Sequence, residues 1–141
     1  MRVELQRIDD AFHFEAVGTE GVKVDIDGSR NIGAAGAGAR PMELILMGLG
    51  GCSAIDVILI LKKQRQAIDD LKIVLDGERV DETPAVFKKI QMDFQFKGTL
   101  DPEKVKRAIA LSVEKYCSVY AMLAETAEIT HSFSINGEKQ T

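Results

Sequence analysis

The stretch that decides the fold is Pro41 to Arg65, PMELILMGLGGCSAIDVILILKKQR. Proline suits the first position of a helix, where its missing N–H would have no partner, and basic residues suit the other end. Almost every residue between the two ends is apolar, on all sides of the helix. Such a pattern is typical of a helix that is buried all round or lies in a membrane. The stretch therefore predicts a long apolar helix at the centre of the structure.

The length of this helix predicts a second copy of the chain. At ~1.5 Å per residue the stretch would run roughly 37 Å. A compact chain of 141 residues has a radius of gyration of only about 14 Å. One chain of this size can hardly cover every side of the helix, so we expect a homodimer whose core includes it.

A membrane location is the alternative explanation for so apolar a helix. Asp56 lies in its centre, where a carboxylate costs about 2.5–3.5 kcal/mol on insertion scales. The first residues, MRVELQRIDD, lack the pattern of a signal peptide. We therefore expect a buried helix in a cytoplasmic protein that does not bind a membrane.

Composition limits the class of protein. The 141 residues are 45% hydrophobic and 28% charged, which is ordinary for one globular domain spanning residues 1–141. The net charge of −4 argues against a nucleic-acid-binding surface. The chain has two cysteines, and in a reducing compartment paired thiols are more often catalytic or redox-active than a permanent disulfide.

Outside the long helix, the sequence predicts six strands and two shorter helices. The predicted strands lie in residues 2–27 (three strands), 71–80, 86–97 and 128–135, and the predicted helices begin after Asp101 and Ser118. In the strand 86–97, alternate residues are apolar, with Lys88 as the exception. The order βββαββααβ has its strands in antiparallel groups, which indicates an α+β fold rather than a parallel βαβ fold.

The two thiols are the candidate nucleophiles. Cys52 lies within the long helix, and Cys117 ends the second helix. Both could be small buried hydrophobic residues, as most free cysteines are. However, Gly50 and Gly51 each cost about 1 kcal/mol in a helix interior relative to alanine. Their presence is explained if a facing helix or a ligand approaches the backbone closely, and the apolar surroundings favour a hydrophobic pocket.

Two other uses of these residues are disfavoured by spacing. The glycine-rich segment 28–40, GSRNIGAAGAGAR, reads as a loop that leads into the helix, and it lacks the spacing of a phosphate-binding loop. The cysteines lack CxxC spacing, and zinc usually requires three or four ligands. The sequence therefore predicts neither a bound phosphate nor a metal site.

Two segments resemble a known family. ARPMELILMGLGGCSAIDVILILKK and VEKYCSVYAMLAETAEITHSFSI are similar to the two thiol motifs of the OsmC/Ohr family of thiol peroxidases. The shared features are a glycine-rich run into a proline, a long helix that carries the first cysteine, and a later K-Y-C-x-V segment. The resemblance covers nearly the whole chain. It implies an intertwined homodimer with antiparallel sheets around long buried central helices, and two active sites at the interface, each between two buried helices.

The resemblance also implies a cysteine mechanism that reduces organic hydroperoxides. Cys52 would be the peroxidatic thiolate, and Cys117 would condense with its sulfenic acid to form a disulfide. An external dithiol would then reduce the pair, with no bound cofactor. Because burial in an apolar setting raises a thiol pKa, a nearby cation must favour the thiolate. In the family, an arginine held by a glutamate does so.

The chain departs from the family pattern at this glutamate. The position directly after the helix-leading proline is Met42, and Glu43 comes one residue later, about 100° around a helix. Arg40 and Arg30 are the candidate arginines, and the alternative is that both are solvated loop charges. Asp56, one turn after Cys52, would oppose thiolate formation, so we expect it to be paired or directed elsewhere.

The leading hypothesis is a cytoplasmic homodimeric peroxidase for hydrophobic hydroperoxides in oxidative-stress defence, with Cys52, Cys117, Glu43 and Arg40 as site residues. An alternative is a module of the same fold that binds a small apolar ligand or senses redox state with little turnover. A third is a purely structural dimer in which the cysteines have no chemical role.

Overall fold

A computed structural model describes all residues, Met1–Thr141. The chain forms two compact units, residues 1–45 and residues 46–141, and each is described by itself. The expectation of one domain over residues 1–141 stays a prediction.

The first unit contains a three-stranded sheet. Its strands are β1 (Glu4–Arg7), β2 (Phe14–Val17) and β3 (Lys23–Ile26), and both neighbouring pairs are antiparallel. This arrangement confirms the predicted meander.

A buried carboxylate, Asp27, organises the glycine-rich loop that follows β3. Its side chain is 1% exposed and accepts hydrogen bonds from the backbone N–H groups of Gly28 (2.7 Å) and Ala37 (2.9 Å). The Ala37 bond is the main reason why the pKa of Asp27 is lowered. The loop is therefore held in shape by one buried acid, which was not predicted from the sequence.

The long helix α1 spans Pro41–Lys63, within two residues of the prediction. Its buried positions Leu49, Ser53, Val57 and Leu61 recur every four residues and so lie on one face. The remaining surface is apolar but largely open in the single chain, where 28% of its most apolar 18-residue window is buried. Length and composition alone would also allow this helix to cross a membrane.

The second unit is built on a four-stranded sheet in the order β4-β5-β6-β7. The strands are β4 (Ala67–Arg79), β5 (Phe87–Thr99), β6 (Glu128–Ile135) and β7 (Glu138–Lys139). The mixed α+β architecture confirms the predicted fold class. One detail of the prediction is wrong, because β6 pairs with β5 in parallel. The two helices between these strands supply the crossover that a parallel pair requires.

A β-bulge explains the exception at Lys88. The register shifts at Glu78 and Arg79, so that Glu78 lies opposite Lys89 and Arg79 lies opposite Phe87. Because a one-residue shift exchanges the faces of a strand, Phe87 joins the buried face instead of Val86. Lys88 then points to solvent, where its ammonium pairs with Glu78 at 2.7 Å.

Two glycines permit close packing, one between α1 and the sheet and one within the sheet. A Cβ on Gly50 would lie 2.8 Å from Leu75 Cδ1, and a Cβ on Gly77 would lie 2.6 Å from Phe87 Cε1. The close approach inferred for Gly50 is therefore made by a strand, and not by a facing helix or a ligand. Gly51 has nothing within 4 Å of its Cβ position.

Three helical segments connect β5 to β6. Helix α2 (Pro102–Leu111) begins as predicted, with the Asp101 carboxylate accepting the Glu103 N–H at 2.9 Å. A π-helical turn (Ser112–Tyr116) follows, and then helix α3 (Ser118–Leu123). Ser118 was expected to cap α3, but the cap is Cys117, whose sulfur accepts the Tyr120 N–H.

Gly77→Ala should destabilise the chain by about 1–3 kcal/mol, the usual cost of forcing extra volume into a packed core. The added methyl group meets the buried Phe87 ring. Urea unfolding of the wild type and the variant would measure this loss. Phe87→Leu in the Gly77→Ala background removes the ring edge, so the two losses should be less than additive. Strictly additive losses would contradict the contact.

Candidate active site

The fold brings the two cysteines together. Cys52 lies on α1, Cys117 lies between the π turn and α3, and their sulfur atoms are within 4.8 Å of each other. Both are free thiols; Cys52 is half-buried and Cys117 is buried. A disulfide has a bond of about 2.05 Å, so a modest local movement would join them. Cys52 keeps some contact with solvent.

Two hydrogen bonds hold the sulfur of Cys117. The Ser53 hydroxyl lies 3.4 Å from it and donates to it, and the backbone N–H of Tyr120 donates to it at 3.3 Å. Ser53 is fully buried, because it belongs to the face of α1 that packs into the core. The serine thus fixes the position of Cys117 next to the helix that carries Cys52.

Asp56 lies beside both thiols. One of its carboxylate oxygens is within 4.8 Å of the two sulfur atoms. As expected, the carboxylate is paired: it accepts a hydrogen bond from the buried Ser112 hydroxyl at 3.3 Å. Asp56 lies on the same side of α1 as Cys52, because residues four apart on a helix share a face. A nearby negative charge disfavours a thiolate.

The pKa of Cys117 is raised, first by burial and then by its contact with the Cys52 sulfur. The hydrogen bonds from Ser53 and Tyr120 oppose this rise. Cys117 is therefore held as a thiol at neutral pH.

An open pocket adjoins this cluster at Asp56. Its volume is about 340 Å³, which lies at the lower end of the range for small-ligand sites. Its walls are largely apolar. The lining residues are Asp56, Leu59, Ile60, Lys63, Gln64, Leu111 and Tyr116. The buried Oε1 atom of Gln64 has no hydrogen-bond partner, so it could accept a hydrogen bond from a ligand.

The candidate charge pair Arg40 and Glu43 lies in the first unit. Glu43 Oε1 accepts hydrogen bonds from Arg40 Nε at 2.9 Å and from the Arg40 backbone N–H at 3.1 Å. The Arg40 side chain is the main reason why the pKa of Glu43 is lowered. A glutamate one position later than in the family pattern thus still holds an arginine. Arg30, the other candidate, forms no ion pair.

Three residues of the thiol cluster were not predicted from the sequence. Ser53 stood in the apolar run, Ser112 stood at an apolar position of its helix, and Tyr120 contributes only its backbone. The available indication in the sequence was a serine at a helical position that the apolar pattern predicts to be buried. The π turn that places Ser112 and Cys117 had no sequence signal, although such turns are frequent at functional sites.

These features define an α+β protein with two neighbouring thiols beside an apolar pocket. The family model of the OsmC-like proteins matches residues 33–132, and the chain belongs to this family. The resemblance drawn from its two cysteine motifs is therefore confirmed.

Individual relatives agree with this assignment. The protein YhfA of Escherichia coli is 48% identical over 96 residues, which cover 67% of this chain and 72% of YhfA. A crystal structure of a hypothetical protein from Aquifex aeolicus is 32% identical, with a TM-score of 0.81 over 96% of both chains. An organic hydroperoxide resistance protein from Legionella pneumophila has the same fold at 17% identity, with a TM-score of 0.70 over 94% of this chain and 95% of its own.

Proposed function

We propose that the chain is a thiol-dependent peroxidase that reduces hydrophobic hydroperoxides. The observation that carries this proposal is the proximity of the Cys52 and Cys117 sulfur atoms, within 4.8 Å across 64 intervening residues. Membership of the OsmC-like family and the fold shared with organic hydroperoxide resistance proteins support a role in oxidative-stress defence.

The proposed reaction has two steps on the protein. The Cys52 thiolate attacks the terminal oxygen of R–O–O–H, the O–O bond breaks, and the released alkoxide takes a proton to leave as ROH. Cys52 is then a sulfenic acid. The Cys117 sulfur attacks it, giving a disulfide and water, with the thiol proton leaving in the water. An external dithiol reduces the disulfide, so no bound cofactor is needed.

The difference between the two thiols matches these roles. Cys52 is half-buried and can be reached by a peroxide, whereas Cys117 is buried and its pKa is raised. The apolar pocket beside Asp56 has room for an alkyl group. Hydrophobic hydroperoxides should therefore react faster than hydrogen peroxide.

We expect one cumene hydroperoxide to be consumed per reduced chain in a single turnover without reductant. Cys52→Ser should abolish this consumption, because it removes the nucleophile. Cys117→Ser should retain the first step and leave a sulfenic acid that dimedone traps. Mass spectrometry should find a Cys52–Cys117 link in the oxidised wild type only.

Undiminished consumption of peroxide by Cys52→Ser would refute the peroxidase proposal. If Cys52 reacts with thiol reagents but the protein consumes no peroxide, the result would favour a binding or redox-sensing module instead.

The assignment of Arg40, held by Glu43, as the positive charge that favours the Cys52 thiolate stays a prediction, which a variant of Arg40 tests. Its ion pair with Glu43 at 2.9 Å keeps the guanidinium in a defined orientation. In general, a positive charge near a thiol favours the thiolate, whereas a neighbouring carboxylate disfavours it.

Arg40→Gln should therefore slow alkylation of Cys52 by iodoacetamide at pH 7, measured in the Cys117→Ser background. The expected loss is on the order of tenfold, since one unit of thiol pKa changes the thiolate fraction by about that factor. Arg30→Gln is the matched control and should leave the rate unchanged. If both variants slow the alkylation equally, the loss comes from the net charge of the chain and not from Arg40.

A homodimer is the remaining part of the proposal. Helix α1 leaves large apolar side chains open in the single chain, among them Met47 (55% exposed), Ile55 (62%) and Leu59 (51%). We propose that a second copy covers this face, rather than lipid, because the helix also carries Asp56. Free thiols suit a cytoplasmic location, where cysteines stay reduced.

Sedimentation should show a dimer, and Ile55→Asp should weaken it. An unpaired charge buried at an interface costs about 3 kcal/mol, which is roughly 100-fold in Kd. Val86→Asp is the control, because Val86 is also exposed (42%) but belongs to the turn before β5 and not to α1. A monomeric wild type, or equal effects of the two variants, would contradict dimerisation through α1.

A further inference from the structure

Three potential metal ligands converge at the thiol cluster. The sulfur atoms of Cys52 and Cys117 and a carboxylate oxygen of Asp56 all lie within 4.8 Å of one another. Cys52 and Asp56 come from successive turns of α1, and Cys117 comes from the turn before α3. The sequence predicted no metal site because the cysteines lack close spacing. In the folded chain the two sulfur atoms nevertheless lie close together, and Asp56 adds a third donor atom.

The donor set selects a class of cation. Two sulfur atoms and one oxygen suit Zn²⁺ and its heavier analogue Cd²⁺, which prefer thiolates. Mg²⁺ and Ca²⁺ require shells of oxygen ligands, and this cluster has one such residue. Three protein ligands leave the fourth tetrahedral position open, as in zinc sites that bind water or a small molecule.

Buried hydrogen-bond donors orient two of the three ligands. The Ser112 hydroxyl donates to Asp56 Oδ2 at 3.3 Å, and the Ser53 hydroxyl and the Tyr120 N–H donate to the Cys117 sulfur at 3.4 and 3.3 Å. Both serines are completely buried. Outer partners of this kind hold metal ligands in place and commonly affect affinity by 10–100-fold.

The charges of the cluster also favour a cation. With both thiols ionised, three negative charges would lie within 4.8 Å of one another. Asp56 takes part in none of the ion pairs of the chain, and its hydrogen-bond partner is a neutral hydroxyl. A divalent cation would neutralise two of the three charges at once.

We propose that Cys52, Asp56 and Cys117 of the reduced protein bind one thiophilic divalent cation of the Zn²⁺ class. Binding replaces the thiol protons, which leave to solvent, with sulfur–metal bonds. It occupies the sulfur electron pairs that attack a peroxide, so the cation blocks peroxide reduction; this second part rests on the peroxidase proposal. Disulfide formation removes both thiolates and releases the cation.

Cd²⁺ titration of the reduced chain under argon tests the site without reference to activity. The expected result is a sulfur-to-cadmium charge-transfer absorption in the ultraviolet that saturates at one Cd²⁺ per chain and is reversed by Zn²⁺. Asp56→Asn keeps the size of the side chain but removes its charge, and should weaken Cd²⁺ binding by about tenfold or more. Asp69→Asn, at an exposed position of β4, should leave binding unchanged.

Several outcomes would overturn the proposal. Absorption that fails to saturate at one equivalent would indicate only nonspecific thiol binding. Equal affinity in Asp56→Asn and the wild type would exclude the carboxylate as a ligand. Cys117→Ser separates the two proposals, because it should lose the tight Cd²⁺ site and still react once with cumene hydroperoxide. Peroxide consumption that is unaffected by saturating Zn²⁺ would refute the blocking effect, even if the cation binds.

Discussion

The hydroxyl of Ser53 touching the sulfur of Cys117 is the contact on which the candidate site depends. It joins two segments that are 64 residues apart in the chain, and it does so inside the core, where both residues have almost no exposed surface. A small side chain at position 53 lets the helix and the turn approach closely. A larger one would overfill this packed contact and move the turn away from Cys52.

The same contact creates an electrostatic conflict. Packing the turn against α1 places two ionisable thiols beside the Asp56 carboxylate. In such a cluster, each negative charge raises the free energy that is needed to ionise the next group. The pKa of Cys117 is raised, first by burial and then by the neighbouring Cys52 sulfur. The proposed peroxide chemistry needs one thiolate, which a positive charge from elsewhere in the protein would favour. An arginine near the thiol would favour the thiolate and leave its sulfur free to react. A bound divalent cation would also favour the thiolate, but it would occupy the sulfur.

Helix α1 links the fold to this chemistry. Its buried face packs on the sheet through Gly50 and carries Ser53, and the adjoining positions Cys52 and Asp56 are only partly buried. The rest of the helix is apolar and open in the single chain. A second copy on that face would shield the thiols from bulk water while the neighbouring pocket stayed lined by apolar side chains. One helix would then serve as core element, interface and site.

The sequence by itself determined the long helix, the meander of residues 2–27, the capped start of α2 and the family, because hydrophobic period, capping residues and motif spacing are local properties. Local patterns could not show the parallel pairing of β6 with β5, the bulge that moves Phe87 inward, or the π turn, since each depends on partners far away in the chain. The approach of Cys117 to Cys52 was expected only from the family motifs. The place of Asp56 beside both sulfur atoms was decided by tertiary packing, because the direction of a side chain around an apolar helix depends on what the other elements cover.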